Sequence, residues 1–150
     1  MSFTYSYPRP MVTVDAVVFR GGDNGLEVLL IERRNDPFSG SWALPGGFLE
    51  LDEELEAGAL RELKEETGIS NISLEQFHTF GDVGRDPRGR SITVAFVGML
   101  NTDKPEPVPV GGDDAADARW FRITDMPVMA FDHGKIIDKA LNWLHTEGYL

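Results

Sequence analysis

Glu62, Glu65 and Glu66 stand at i, i+3 and i+4 within residues 47–69, GFLELDEELEAGALRELKEETGI. On a helix, at about 100° per residue, they share one sector of about 100°, and Gly58, one turn earlier, lies in the same sector without a side chain to crowd them. Like charges at this spacing repel by a few tenths of a kcal/mol per pair, so a cation is expected among them. Hard oxygen donors in a chain without cysteine, and with no histidine nearby, suit Mg²⁺ or Mn²⁺ better than zinc. Arg61 precedes Glu65 by four residues and can orient its carboxylate, as groups behind a metal ligand do. The preceding Leu44-Pro45-Gly46-Gly47 turn lets backbone approach a ligand closely and can offer it a carbonyl.

A helix must carry these groups. Asp52 is its expected N-cap, Glu53 and Glu54 fill a first turn where the helix dipole favours negative charge, and Gly68 ends it in a left-handed conformation. The predicted span is 53–67, with Ala59, Leu60 and Leu63 on the flank that packs against a core. A solvated acidic face would be the ordinary reading of a charge run. It gives no reason for the fixed spacing of the flanking glycines, the arginine and the leucine.

Gly47, Glu53, Arg61, Glu62, Leu63, Glu65, Glu66, Gly68 and Ile69 together resemble the Nudix box, at all nine positions. The resemblance implies a metal-dependent hydrolase of nucleoside diphosphates linked to another moiety. It also implies the fold, an α/β/α sandwich with a mixed β-sheet between helices. It further implies Glu62, Glu65 and Glu66 as catalytic metal ligands, the Gly46 carbonyl as another ligand, and Arg61 and Glu53 as orienting partners.

The whole chain sets bounds on this reading. Its 150 residues suit one domain, large enough to bury about 70% of its unfolded surface. Fourteen basic and 25 acidic residues give a net charge of -11, which disfavours a nucleic acid polymer as partner. A small phosphate ester must then be met by metals and a few placed arginines. Lack of cysteine excludes disulfides and thiol catalysis, and neither an 18-residue apolar run nor a signal-like start is present. No membrane association and a cytoplasmic location are expected.

Residues 1–10 carry three aromatics and two prolines without periodicity and read as an arm. Residues 11–19 and 26–33 read as adjacent strands around a turn-rich hexapeptide, their continuous apolar runs pointing to burial on both faces. Arg33 and Arg34 close the second strand beside the box and suit a diphosphate. Trp42 reads as core packing. Residues 72–80 and 91–100 read as strands joined by a loop with Arg85, Arg88 and Arg90, a basic cluster whose guanidinium forks match phosphate and carboxylate geometry. Three prolines stiffen residues 101–110. An acidic loop with Asp113 and Asp114 then leads into a short strand. Asp132 is the expected N-cap of a closing helix bearing Ile136, Ile137, Ala140, Leu141 and Leu144, and His133 reads as a capping or surface residue.

The stretches RDPRGRSITVAF, GGDDAADARWF and AFDH also resemble the ADP-ribose pyrophosphatase branch of the Nudix family. Members commonly supply an extra acidic residue from outside the box, which implies Asp113 or Asp114 as base or further ligand. The expected activity is hydrolysis of ADP-ribose, or a related nucleoside diphosphate sugar, to AMP and ribose 5-phosphate. The alternatives are a nucleoside triphosphate pyrophosphohydrolase and a non-catalytic ligand sensor. The complete carboxylates, and the lack of a helix-turn-helix pattern in these 150 residues, favour the enzyme. A homodimer is expected from the resemblance and the aromatic arm.

Overall fold

The computed structural model describes residues 2–23, 25–101, 111 and 115–150. Its centre is β1 (Met11–Gly22), buried without interruption from Thr13 to Phe19. Successive side chains of a strand point to opposite faces, so Val14, Ala16 and Val18 enter one apolar cluster while Val17 and Phe19 enter another. Both faces are covered, as a β-branched run without alternation requires.

β1 pairs with β2 (Gly25–Arg33) and β4 (Gly46–Phe48) in antiparallel fashion, and with β6 (Ser91–Met99) in parallel. The short β3 (Trp42–Ala43) and β7 (Ala115–Arg122) add to β2, and β5 (Glu75–Phe80) adds to β6, giving a mixed sheet. Helix α1 (Leu55–Thr67) lays Ala59 and Leu63 on one face, and α2 (His133–Thr146) lays Ile136, Ile137, Ala140 and Leu144 on the other. Each fully buried leucine or isoleucine contributes about 1.5–3 kcal/mol by leaving water. This is the expected sandwich, a mixed sheet between helical layers. Among the described residues no helix is long and apolar enough to cross a membrane.

Element boundaries depart from expectation in informative places. α1 begins at Leu55 rather than residue 53, with Glu54 at the cap and no side-chain cap bond, so Asp52 does not cap it. The Glu53 carboxylate instead accepts the Glu50 amide and two bonds from Arg61. The end of α1 is as expected: Gly68 has φ 80° and donates its N–H to the Lys64 carbonyl. β5 starts at Glu75 rather than residue 72. Ile72 and Leu74 pack into the α1-side cluster, and the Ser73 carbonyl lies where a β-carbon on Gly98 would come within 2.6 Å. Asp132 stands at the N-cap of α2 but makes no side-chain cap bond, because Arg85 takes its carboxylate.

Candidate active site

Two adjoining elements build the acidic wall of a cleft of about 480 Å³. β4 brings Gly46 and Gly47 beside Asp15 and Val14 of β1, and α1 crosses above them. The Gly46 N–H donates to Glu66 Oε1 at 2.9 Å, while the Pro45 carbonyl accepts the Ala16 N–H at 2.9 Å. A β-carbon on Gly47 would lie 2.7 Å from Glu62 Oε1, so only glycine lets this carboxylate rest on the turn. Gly58 meets the same need on the helix, where a β-carbon would lie 2.9 Å from Glu53 Oε1.

Arg61 is the hub of this wall. It donates to Glu53 through Nε at 2.9 Å and Nη2 at 2.7 Å, and through Nη1 to Glu62 at 2.9 Å and Glu65 at 3.2 Å. Its Nη2 also reaches the Phe48 carbonyl at 3.2 Å, tying the helix to the turn. The hydrogen bonds from Arg61 hold Glu53 down to a pKa of about 2. The same bonds, accepted by Glu53, hold the guanidinium firmly protonated.

Glu66 is placed differently. It is buried, and its backbone partner is an amide rather than a cation. Burial pushes its carboxyl up to about 9, with the charges of Glu62 and Asp15 adding to the effect and the Gly46 amide opposing it. Burial raises Glu62 as well, against the pull of Arg61. Among the described residues no three carboxylate or imidazole groups already converge as a metal cage, since Glu62 and Glu65 lean onto Arg61. The donors nevertheless suit a hard divalent cation. They are carboxylates on one helix face, beside a glycine cradle that a β-carbon would fill, and one of them is a buried acid with no positive partner of its own among the described residues.

The opposite wall is cationic and aromatic. Arg33 donates from Nε to the Pro37 carbonyl at 2.7 Å, and its guanidinium lies 4.9 Å from the Phe131 ring centre. Arg88 pairs with Asp86 at 2.8 and 3.1 Å and lies 5.3 Å from Phe48, which lines the cleft, and 5.4 Å from Phe131, which lines the adjoining small cavity. Burial pushes the Asp86 carboxyl up, but the Arg88 bonds outweigh it and hold the acid below its ordinary range. Phe131 and Phe38 pack edge to face at 4.8 Å, and both have left-handed backbones, φ 51° and 63°, which bulky residues rarely adopt.

The arginines singled out by type thus separate by position. Arg33 and Arg88 line the cleft. Arg34 instead ties the end of β2 to β7 through the Ala115 carbonyl at 3.1 Å. Arg85 forms two bonds to Asp132, at 2.7 and 2.9 Å, and its side chain is only 5% exposed, so its fork is occupied. Arg90 is exposed, its Nη1 3.5 Å from the Asp82 carbonyl. Asp113 and Asp114 lie outside the described residues. Trp42 packs in the α2-side cluster, edge to face with Phe121 at 4.7 Å.

Sequence reasoning missed Asp15 and misplaced His133. Asp15 is 5% exposed within β1 and accepts a hydrogen bond from Thr93 Oγ1. The signal was present, a lone acid inside an otherwise apolar strand that must find partners when buried. His133 is neither a cap nor a surface residue: it is buried, and its Nδ1 accepts the Leu44 N–H at 3.0 Å. Burial depresses its pKa, with the Asp15 and Asp132 charges opposing.

The NUDIX domain profile matches residues 9–144 of the chain. This chain belongs to the Nudix hydrolase family. An ADP-ribose pyrophosphatase of Methanocaldococcus jannaschii is 39% identical over 142 residues, 91% of this chain and 76% of that protein. The ADPR responsive transcriptional repressor NtrR of Acinetobacter baylyi is 46% identical over 145 residues, 94% of this chain; the chain spans 57% of the repressor's length. Among solved structures, the NUDIX domain of Shewanella oneidensis NrtR complexed with ADP ribose superimposes with a TM-score of 0.85 at 36% identity, covering 93% of this chain and 91% of that one.

Proposed function

We propose that this Nudix hydrolase cleaves the diphosphate of ADP-ribose, or of a closely related nucleoside diphosphate sugar, to AMP and ribose 5-phosphate. The observation that carries the reading is one cleft with Glu62, Glu65, Glu66 and the Gly46-Gly47 turn on one wall and Arg33 and Arg88 on the other. That division suits a small diphosphate, whose charge needs cations on both sides. Mg²⁺ or Mn²⁺ held by Glu62, Glu65, Glu66 and the Gly46 carbonyl would neutralise phosphate charge and activate water. Arg61 and Glu53 orient the carboxylates, and the cleft-facing arginines hold the remaining phosphate or ribose oxygens. Water adds across one P–O bond, which breaks, and a proton is released. A manganese-containing structure and an ADP-ribose complex among the Nudix neighbours, together with the pyrophosphatase relative, support the metal and the substrate class. Cytoplasmic action as a homodimer, with no nucleic acid polymer or membrane as partner, belongs to the same proposal.

The test is kcat/KM across ADP-ribose, ADP-sugars, NAD and nucleoside triphosphates with Mg²⁺ and Mn²⁺, products separated by chromatography. ADP-ribose should lead, with NAD slower, because a site that hydrogen-bonds the terminal ribose discriminates against a ligand that cannot meet those groups. A triphosphate turned over at least about tenfold better, or release of pyrophosphate, would sink the proposal in favour of triphosphate hydrolysis. A second reading has its own support, the repressor relative at 46% identity: binding of ADP-ribose as a signal. Calorimetric binding of ADP-ribose with no AMP released in excess metal would establish it instead.

A further inference from the structure

Three elements from different parts of the chain grip consecutive residues of the turn below the acidic wall. Glu66 of α1 takes the Gly46 N–H, the Ala16 amide of β1 takes the Pro45 carbonyl, and His133, the first residue of α2, takes the Leu44 N–H through Nδ1 at 3.0 Å. A neutral imidazole that accepts at Nδ1 carries its proton on Nε2, and that edge faces Asp15 Oδ1 at 3.8 Å. Asp15 lies opposite Gly46 in the β1–β4 register, and its other oxygen is held by Thr93. His133 is 6% exposed and borders a small polar cavity of about 60 Å³, which Asp15, Gly46 and Glu66 also line. His133 thus lines this cavity rather than the cleft itself, and the two share Gly46, Gly47 and Glu66.

We infer that His133 is a positioning residue: its Nδ1 pins the Leu44 amide, so the start of α2 sets the Gly46 peptide and, through it, the Glu66 carboxylate. The inference rests on the proposed hydrolysis for its catalytic consequence, but not for its geometry. The Gly46 N–H is directed at Glu66, so rotation of that peptide displaces the carboxylate and the neighbouring carbonyl together. A shift of about 1 Å in such a constellation can cost about a hundredfold in rate. Packing alone would be satisfied by a side chain of similar volume; the positioning role requires an acceptor at the Nδ1 place.

Three substitutions separate these roles. His133→Leu keeps bulk and removes the acceptor, whereas His133→Asn puts its Oδ1 close to the place of Nδ1. His133→Gln is polar but carries its amide one carbon further out, and takes the place of leucine if that variant does not fold. Expected for His133→Leu is a fall in kcat of about tenfold or more with KM within about twofold, and faster hydrogen exchange at the Leu44 and Gly46 amides. His133→Asn should recover kcat to within about threefold of the parent and keep both amides protected. Equal loss in the asparagine and leucine variants, or a leucine variant with parental kcat and slow Leu44 exchange, overturns the inference. A parent protein inactive on ADP-ribose would count against the proposed function alone, since amide exchange would still decide whether His133 pins the turn.

Discussion

Arg61 and Arg85 are both multiply bonded guanidiniums, yet they do opposite things. Arg61 sits at the edge of the cleft, its side chain 24% exposed, and is shared among Glu53, Glu62 and Glu65, with Glu50 at 3.8 Å. Arg85 is 5% exposed and matched to one carboxylate, Asp132, with Ser91 taking up a further N–H at 3.4 Å. One cation among several acids leaves a surplus of negative charge that a further cation can relieve. A matched, buried pair is closed to ligands and joins the β5–β6 loop to the start of α2. Residue type is the same in both; the ratio of acids to bases and the access of water divide a binding wall from a brace.

The largest break in this contrast is Glu66→Gln, which keeps the acceptor for the Gly46 amide but removes the acid that must ionise to hold a cation. We expect kcat to fall by orders of magnitude in saturating Mg²⁺, measured by AMP release, because the group that would ionise onto the cation is gone. Stability of the metal-free protein should move the other way. The carboxyl pKa is raised from 4.5 to about 9 in the folded chain, so its contribution is fully present below about 4.5 and is lost as pH rises through about 9. The glutamine variant escapes that loss, and its advantage in Tm over the parent, with metal chelated, should grow between about pH 6 and pH 9. Thermal scans at both values check it.

On the brace side, Arg85→Ala leaves Asp132 charged and largely buried, and should cost about 3 kcal/mol in urea unfolding. Replacing both partners by apolar residues of similar size should cost less, which would mark the pair as structural. A smaller effect is expected of Arg88→Ala, whose side chain is 37% exposed and lines the cleft. KM should rise by about tenfold with kcat little changed if its contact is equal in ground and transition states. Arg90→Ala should alter neither constant by more than about twofold, and stability by no more than about 0.5 kcal/mol. Steady-state kinetics of the Arg88 and Arg90 variants side by side sharpen the division within one loop.

The acidic face of α1 was legible because helical period is a local property. Glu62, Glu65 and Glu66 share a face, Ala59 and Leu63 pack behind it, and Gly68 closes the helix. The burial of β1 on both faces was legible from its largely apolar run for the same reason. Asp15 was missed, because its neighbours Thr93 and Glu66 are distant in sequence and meet it only where β6 lies parallel to β1 and α1 crosses the sheet. The start of α1 was misread because Glu53 has a stronger partner than the helix dipole, a guanidinium eight residues on.

By itself, the sequence determined what short-range geometry can encode: the helix carrying three carboxylates, the glycines that keep it clear, and the apolar strands beneath. Tertiary structure alone decided which cations face those carboxylates. Arg34, Arg85 and Arg90 are as basic as Arg33 and Arg88, and chain position does not rank them. Arg34 bonds a carbonyl 81 residues away and Arg85 an acid 47 residues away, whereas Arg33 from the end of β2 and Arg88 from the β5–β6 loop arrive at one cleft. A charge's role depends on the dielectric and the partners around it, and those are set only when distant strands and helices pack.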